Sequence, residues 1–119
     1  MIIAIPTLGE KGSKESVAEH FGRCPTYTLL DDDGNILKII PNTSSHMGGT
    51  ALPPKLLSEN GVNILLCHGI GPKAIELCKE YDIDTYVDHS PTVQELFDKW
   101  KSKILSIASL KNACKEHHS

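Results

Sequence analysis

Aromatic residues are scarce in this chain: three tyrosines, two phenylalanines and one tryptophan make up 5% of 119 residues. So few rings leave little on which exposed bases could stack. A basic surface is missing as well, because the 12 Lys and Arg are outnumbered by 15 Asp and Glu, for a formal net charge of -3. No nucleic-acid partner is expected. No apolar run approaches the roughly 20 residues that span a bilayer, and the opening MIIAIPTLGE carries neither a basic segment nor a long apolar stretch, so a cytoplasmic protein without a membrane partner is expected. A P-loop, a serine-histidine-acid order and a convincing carboxylate pair are also lacking. Nucleophilic catalysis and phosphoryl transfer therefore have no support, and the chain does not read as an enzyme.

What is present suits one α/β domain, with a hydrophobic fraction of 39% and a charged fraction of 23%. MIIAIPT is a β-branched strand stopped by Pro6. A long polar connection follows, with at most a short helical turn in which Ser16 and Glu19 form a capping box. TYTLLD and ILKIIPN are joined by an Asp-Gly turn signal and make an antiparallel hairpin, whose run of Asp31, Asp32 and Asp33 is a solvated tip. TALPPKLLSENG is a helix with Leu52, Leu56 and Leu57 on one face. Then VNILLCHG, GPKAIELCKEYD, DTYVDH and SPTVQELFDKWKSKI alternate strand and helix, the last with an apolar stripe of Val93, Leu96, Phe97, Trp100 and Ile104. This order predicts a mixed five-stranded sheet with the hairpin at one edge and flanking helices. Residues 1–105 form the domain, and LSIASLKNACKEHHS, without a clear period, is expected to be a flexible tail over 106–119.

In a reducing compartment the cysteines Cys24, Cys67, Cys78 and Cys114 are thiols to be explained by packing, metal binding or redox chemistry. Cys78 falls on the packed face of its helix. Cys67 and His68 sit where a parallel strand ends, and ligands of open α/β sheets gather there. The long first loop carries His20 and Cys24 toward the same edge, and the loop after the third strand carries His46 beside Met47, Gly48 and Gly49. Thiolate and imidazole suit iron-sulfur clusters, zinc and copper(I), so Cys24, Cys67, His46 and His68 are candidate metal ligands. The bland alternative is that Cys67 finishes a buried strand and His20 packs beside Phe21. Cys114, His117 and His118 are a second candidate set in the tail. Gly69, Gly71 and Ala74 fit a G-x-G-x-x-A spacing with Asp88 beyond, but the turn is not the first βα turn and Pro72 removes an amide that a pyrophosphate would use.

The segments SVAEHFGRCPTYTLLD, HMGGTALPPKLLSENGVNILLCHGIGPKAIELC and IDTYVDHSPTVQELF together resemble the dinitrogenase iron-molybdenum cofactor biosynthesis family, the NifX-like proteins and the carboxyl-terminal domain of NifB-type proteins. HFGRC and GVNILLCHGIGPKA are the most specific pieces. The resemblance implies a ribonuclease H-like α/β fold and a non-catalytic carrier, scaffold or store for an iron-sulfur or molybdenum-iron-sulfur cluster. Donor and acceptor proteins for that cluster are the implied partners. It maps a cofactor-binding role onto His20, Gly22, Arg23, Gly69 and Gly71. Arg23 and helix amides near Gly71 would offset the charge of an anionic cluster, and the glycines would let backbone approach it. Thiols exposed at one edge could also bridge two chains into a homodimer through a shared cluster. A regulatory or interaction domain without a cluster, and a nucleotide-dependent enzyme at the turn from Gly69 to Ala74, are the competing functions.

Overall fold

The computed structural model describes residues 1–43 and 52–108. Its strands are β1 (Ile2–Thr7), β2 (Thr26–Asp31), β3 (Ile36–Pro41), β4 (Ile64–Cys67), β5 (Asp84–Val87) and β6 (Ser106–Ile107), and its helices are α1 (Pro53–Glu59), α2 (Pro72–Glu80) and α3 (Val93–Lys101). They build one mixed sheet in the order β3-β2-β1-β4-β5-β6. β1 pairs in parallel with β4, and β4 with β5, while β2 and β3 fold back antiparallel as the hairpin. No helix among the described residues is long and apolar enough to cross a membrane.

Period-two alternation sends successive side chains to opposite faces of the sheet. Ala4, Tyr27, Leu29, Leu65 and Cys67 turn to the face covered by α1 and α2, where Leu57, Ile75 and Cys78 meet them. Ile3, Ile5, Leu30, Ile64 and Leu66 turn to the other face, against Val93, Leu96 and Phe97 of α3. Thr92 caps α3 by accepting the Glu95 amide at 3.3 Å. Asp31 organises the hairpin tip, its carboxylate accepting the amides of Asp33 and Asn35 at 2.9 Å each.

Three expectations are corrected. The sheet has six strands rather than five, because Ser106 and Ile107 pair antiparallel with β5 and the Ala108 amide donates to Thr85 O at 2.8 Å. A two-residue strand has no alternation to read, so the sequence pattern merges it with the tail; residues 109–119, including Cys114, His117 and His118, lie outside the described residues. Ser16 opens no helical turn. It and Val17 are extended, bridging Thr92 and Thr7, and a helix there would forfeit the bonds from Val17 N to Pro91 O and from Ala18 N to Pro6 O, each 2.9 Å. The buried Glu15 carboxylate anchors this stretch, accepting the Lys11 and Ser16 amides. Ile104 leaves the α3 stripe and is 65% exposed, because the chain turns at Lys103, whose φ is +63°.

The hairpin tip is seated on α3 at one close contact. Gly34 has φ of +90°, and a Cβ there would stand 2.9 Å from Phe97 Cε2. Gly34→Ala is therefore expected to lower the unfolding free energy by about 1–3 kcal/mol in urea titrations. A change within experimental error would contradict this seating.

Candidate functional site

Parallel pairing ends β1, β4 and β5 at one edge of the sheet, and β3, antiparallel to β2, runs the same way and ends there too. The connections that follow β1, β4 and β5, and Asn42 after β3, begin at that edge. The chain leaving β1 returns through a 3-10 turn at Phe21–Arg23, and β4 leads through Gly69 and Gly71 into α2. Between them lies a cleft of about 340 Å³, closed on a third side by residues 52–54. His20, Gly22, Arg23, Gly69 and Gly71 all line it. The two sequence motifs thus meet across one space.

The metal-ligand set is not brought together in this way. Cys24 and His68 reach a neighbouring cleft of about 560 Å³, which shares His20 and Arg23 with the first. Cys67 is fully buried in the core and His46 lies outside the described residues. Among the described residues no group of three or more His, Cys, Asp or Glu is placed to hold a metal ion. Neither thiol lies open at the edge: Cys24 is 3% exposed and Cys67 has no exposure. Burial pushes the Cys24 thiol up to about 11 and raises Cys67 and Cys78 as well. All three thiols are therefore protonated at neutral pH and contribute as small core groups.

His68 is held in place by its surroundings. Its Nε2–H donates to Ser90 O, and its ring lies 5.7 Å from that of His89. Asp88 is partly desolvated, but hydrogen bonds from Lys99 Nζ at 2.8 Å and Ser90 Oγ at 2.7 Å outweigh that and keep its carboxyl below the usual range. Its accepting oxygen is already engaged.

A Cβ on Gly71 would meet nothing within 4 Å, and one on Gly69 would make only an ordinary 3.8 Å contact with Glu19 O. The packing of the protein itself therefore does not require glycine at either position. Sequence reasoning missed Lys73, which lines the cleft across from Arg23. A signal was available, since a lysine in the first turn of a helix opposes the macrodipole and calls for another reason to be there. Phe21, Ile70 and Leu77 supply apolar walls. The cleft thus joins two cations to an apolar lining, and no carboxylate lines it among the described residues.

The sequence profile of the dinitrogenase iron-molybdenum cofactor family matches residues 1–103. An uncharacterized protein of Methanocaldococcus jannaschii is 31% identical over 101 residues, which cover 80% of each chain. Among solved structures, the apo form of the orange protein from Desulfovibrio gigas superposes with a TM-score of 0.80 at 22% identity, covering 91% of this chain and 92% of that one. A Thermotoga protein provisionally assigned as NifB gives a TM-score of 0.74 at 24% identity, over 97% of both chains. At these identities the structural likeness establishes the fold.

The Cys24 shift carries a sign that can be tested. Its thiol ionises near 9.0 when unperturbed and at about 11 in the fold. Above pH 9 the unfolded chain therefore loses a proton that the folded chain keeps, and stability falls as pH rises through 11. The loss attributable to this thiol is expected to be on the order of 2 kcal/mol. Unfolding titrations between pH 8 and 11 on the protein and on Cys24→Ala, which lacks the group, measure it as a difference in slope. Equal slopes would contradict the burial of a neutral thiol.

Proposed function

The chain belongs to the dinitrogenase iron-molybdenum cofactor family, and from that premise we propose that it is a non-catalytic cytoplasmic carrier or store for an iron-sulfur or molybdenum-iron-sulfur cluster. The cargo sits in the cleft between the turn at residues 20–23 and the turn at residues 69–74. One observation carries this reading: Arg23 and Lys73 share an apolar cleft that no carboxylate lines among the described residues. A sulfide-bearing cluster is an anionic, polarisable body. Guanidinium and ammonium groups offset its charge, while Phe21, Ile70 and Leu77 pack against its soft surface. His20, at the cleft's edge, supplies an imidazole of the type that ligates iron. Cys24 and Cys67, neutral and buried, take no part in the hold, which rests on charge, packing and the His20 imidazole.

A carrier needs a donor and an acceptor, and the open cleft at the sheet edge gives both a common route to the cargo. We also assign the order β3-β2-β1-β4-β5 to the ribonuclease H-like arrangement, extended by β6. The second reading, an interaction domain of the same fold that binds no cluster, draws on the same burial of the two thiols.

Anaerobic incubation with a synthetic thiolate-capped tetranuclear iron-sulfur cluster, followed by gel filtration, absorption spectra and iron analysis, separates the two. The carrier reading expects about one cluster to be retained per chain and a steep fall with added salt. The variant carrying both Arg23→Glu and Lys73→Glu is expected to bind at least about tenfold more weakly, with its thermal transition nearly unmoved because both side chains are exposed. A colourless wild-type protein would favour the interaction domain. Full retention by the double variant would remove the cargo from this cleft.

A further inference from the structure

The 3-10 turn that forms one wall of the cleft is fastened from beneath. Tyr27 Oη donates to Phe21 O at 2.7 Å, and the Cys24 thiol donates to the same oxygen at 3.4 Å. Asn42 Nδ2 donates to Gly22 O at 3.2 Å and to Cys24 O at 2.9 Å. Tyr27 belongs to β2 and is fully buried; Asn42 follows β3 directly and is 2% exposed. Three carbonyls of the stretch at residues 21–24 are thus drawn toward the core by a side chain of β2 and by the residue that follows β3.

A peptide in a short turn can rotate, and an outward carbonyl would place negative charge where an anion is to sit. Here rotation is opposed, because it would strip buried donors of Tyr27 and Asn42 of their acceptors. We propose that Tyr27, Asn42 and Cys24 form a positioning clamp that keeps these three carbonyls off the cleft and holds Arg23 beside it, so that the cleft favours anions and offers hydrated cations none of these three oxygens. Naming the anion as a metallocluster rests on the carrier reading; the clamp itself rests on the hydrogen bonds. Cys24 acquires a role in this account without becoming a ligand, and Tyr27 and Asn42 become determinants of a site they do not touch.

Tyr27→Phe removes a donor with little change of shape, whereas Asn42→Asp removes two and adds a carboxyl whose charge also opposes an anion. For Asn42→Asp the amide shifts therefore bear on the clamp, and for Tyr27→Phe both readouts do. Thr28→Val is the control: it removes a buried hydroxyl contact with Thr7 Oγ1 at 3.0 Å on the same strand as Tyr27, away from the turn. Two readouts are taken on the full chain, the amide resonances of Gly22 and Arg23 without cargo, and affinity for the synthetic tetranuclear cluster. Tyr27→Phe and Asn42→Asp are expected to shift those amides and weaken cluster binding about tenfold. Thr28→Val is expected to lower the thermal midpoint with amides and affinity unchanged. Lower midpoints with unmoved amides in Tyr27→Phe and Asn42→Asp would overturn the clamp, as would equal loss of affinity in the control. If the wild-type protein binds no cluster, the carrier reading fails and the amide shifts alone decide the clamp.

Discussion

The parallel pairing of β1 with β4 fixes which loops can meet. Ile3 stands opposite Ile64 and Ala4 opposite Leu65, in a register set by the need to bury Ile3 on one face and Ala4 on the other. A slip of one residue would turn both strands inside out. With the register held, Thr7 and Cys67 end their strands at the same edge, and the chain segments that follow them have little choice but to face each other. The hairpin obeys the same constraint, since Thr7 pairs with Thr26 and Thr26 with Pro41, which delivers Asn42 beneath the turn it fastens.

Two consequences combine at that edge. Backbone carbonyls are pulled inward by Tyr27 and Asn42, while Arg23 and Lys73 remain at the cleft. Polarity is therefore sorted by depth, with acceptors satisfied below and cations available above. The three thiols belong to the lower layer. Burial raises their pKa values, and in the fold they contribute packing and one weak donor.

Much of this was legible in the sequence, and the failures have physical causes. Alternation in IIAI and in ILLC set strand faces, and the Asp-Gly signal set the hairpin, because each relies on local rules. HFGR and GIGPKA were matched as the two halves of one site. Residue chemistry did not reveal the burial of Cys24 and Cys67, since a thiol at a strand end reads as a ligand whichever way it faces. Parity would have corrected half of this: Cys67 lies two residues from Leu65 and so shares its inner face. Asn42 and Tyr27 gave no warning, because their partners are backbone carbonyls 18 and 20 residues away for Asn42 and 6 residues away for Tyr27, and no periodicity encodes such bonds. β6 and the extended Ser16 and Val17 are likewise products of tertiary pairing rather than propensity.

The central claim is that the cargo occupies the space between the two turns. Amide line broadening by the reduced, paramagnetic form of the synthetic tetranuclear cluster measures its position directly, because broadening falls steeply with distance from the unpaired spin. Selective loss of the amide signals at residues 20–24 and 69–74, with β6 and the carboxyl end of α3 left sharp, is the predicted result. Broadening centred on Trp100 of α3 and Ile107 of the edge strand β6, or spread evenly over the chain, would contradict it.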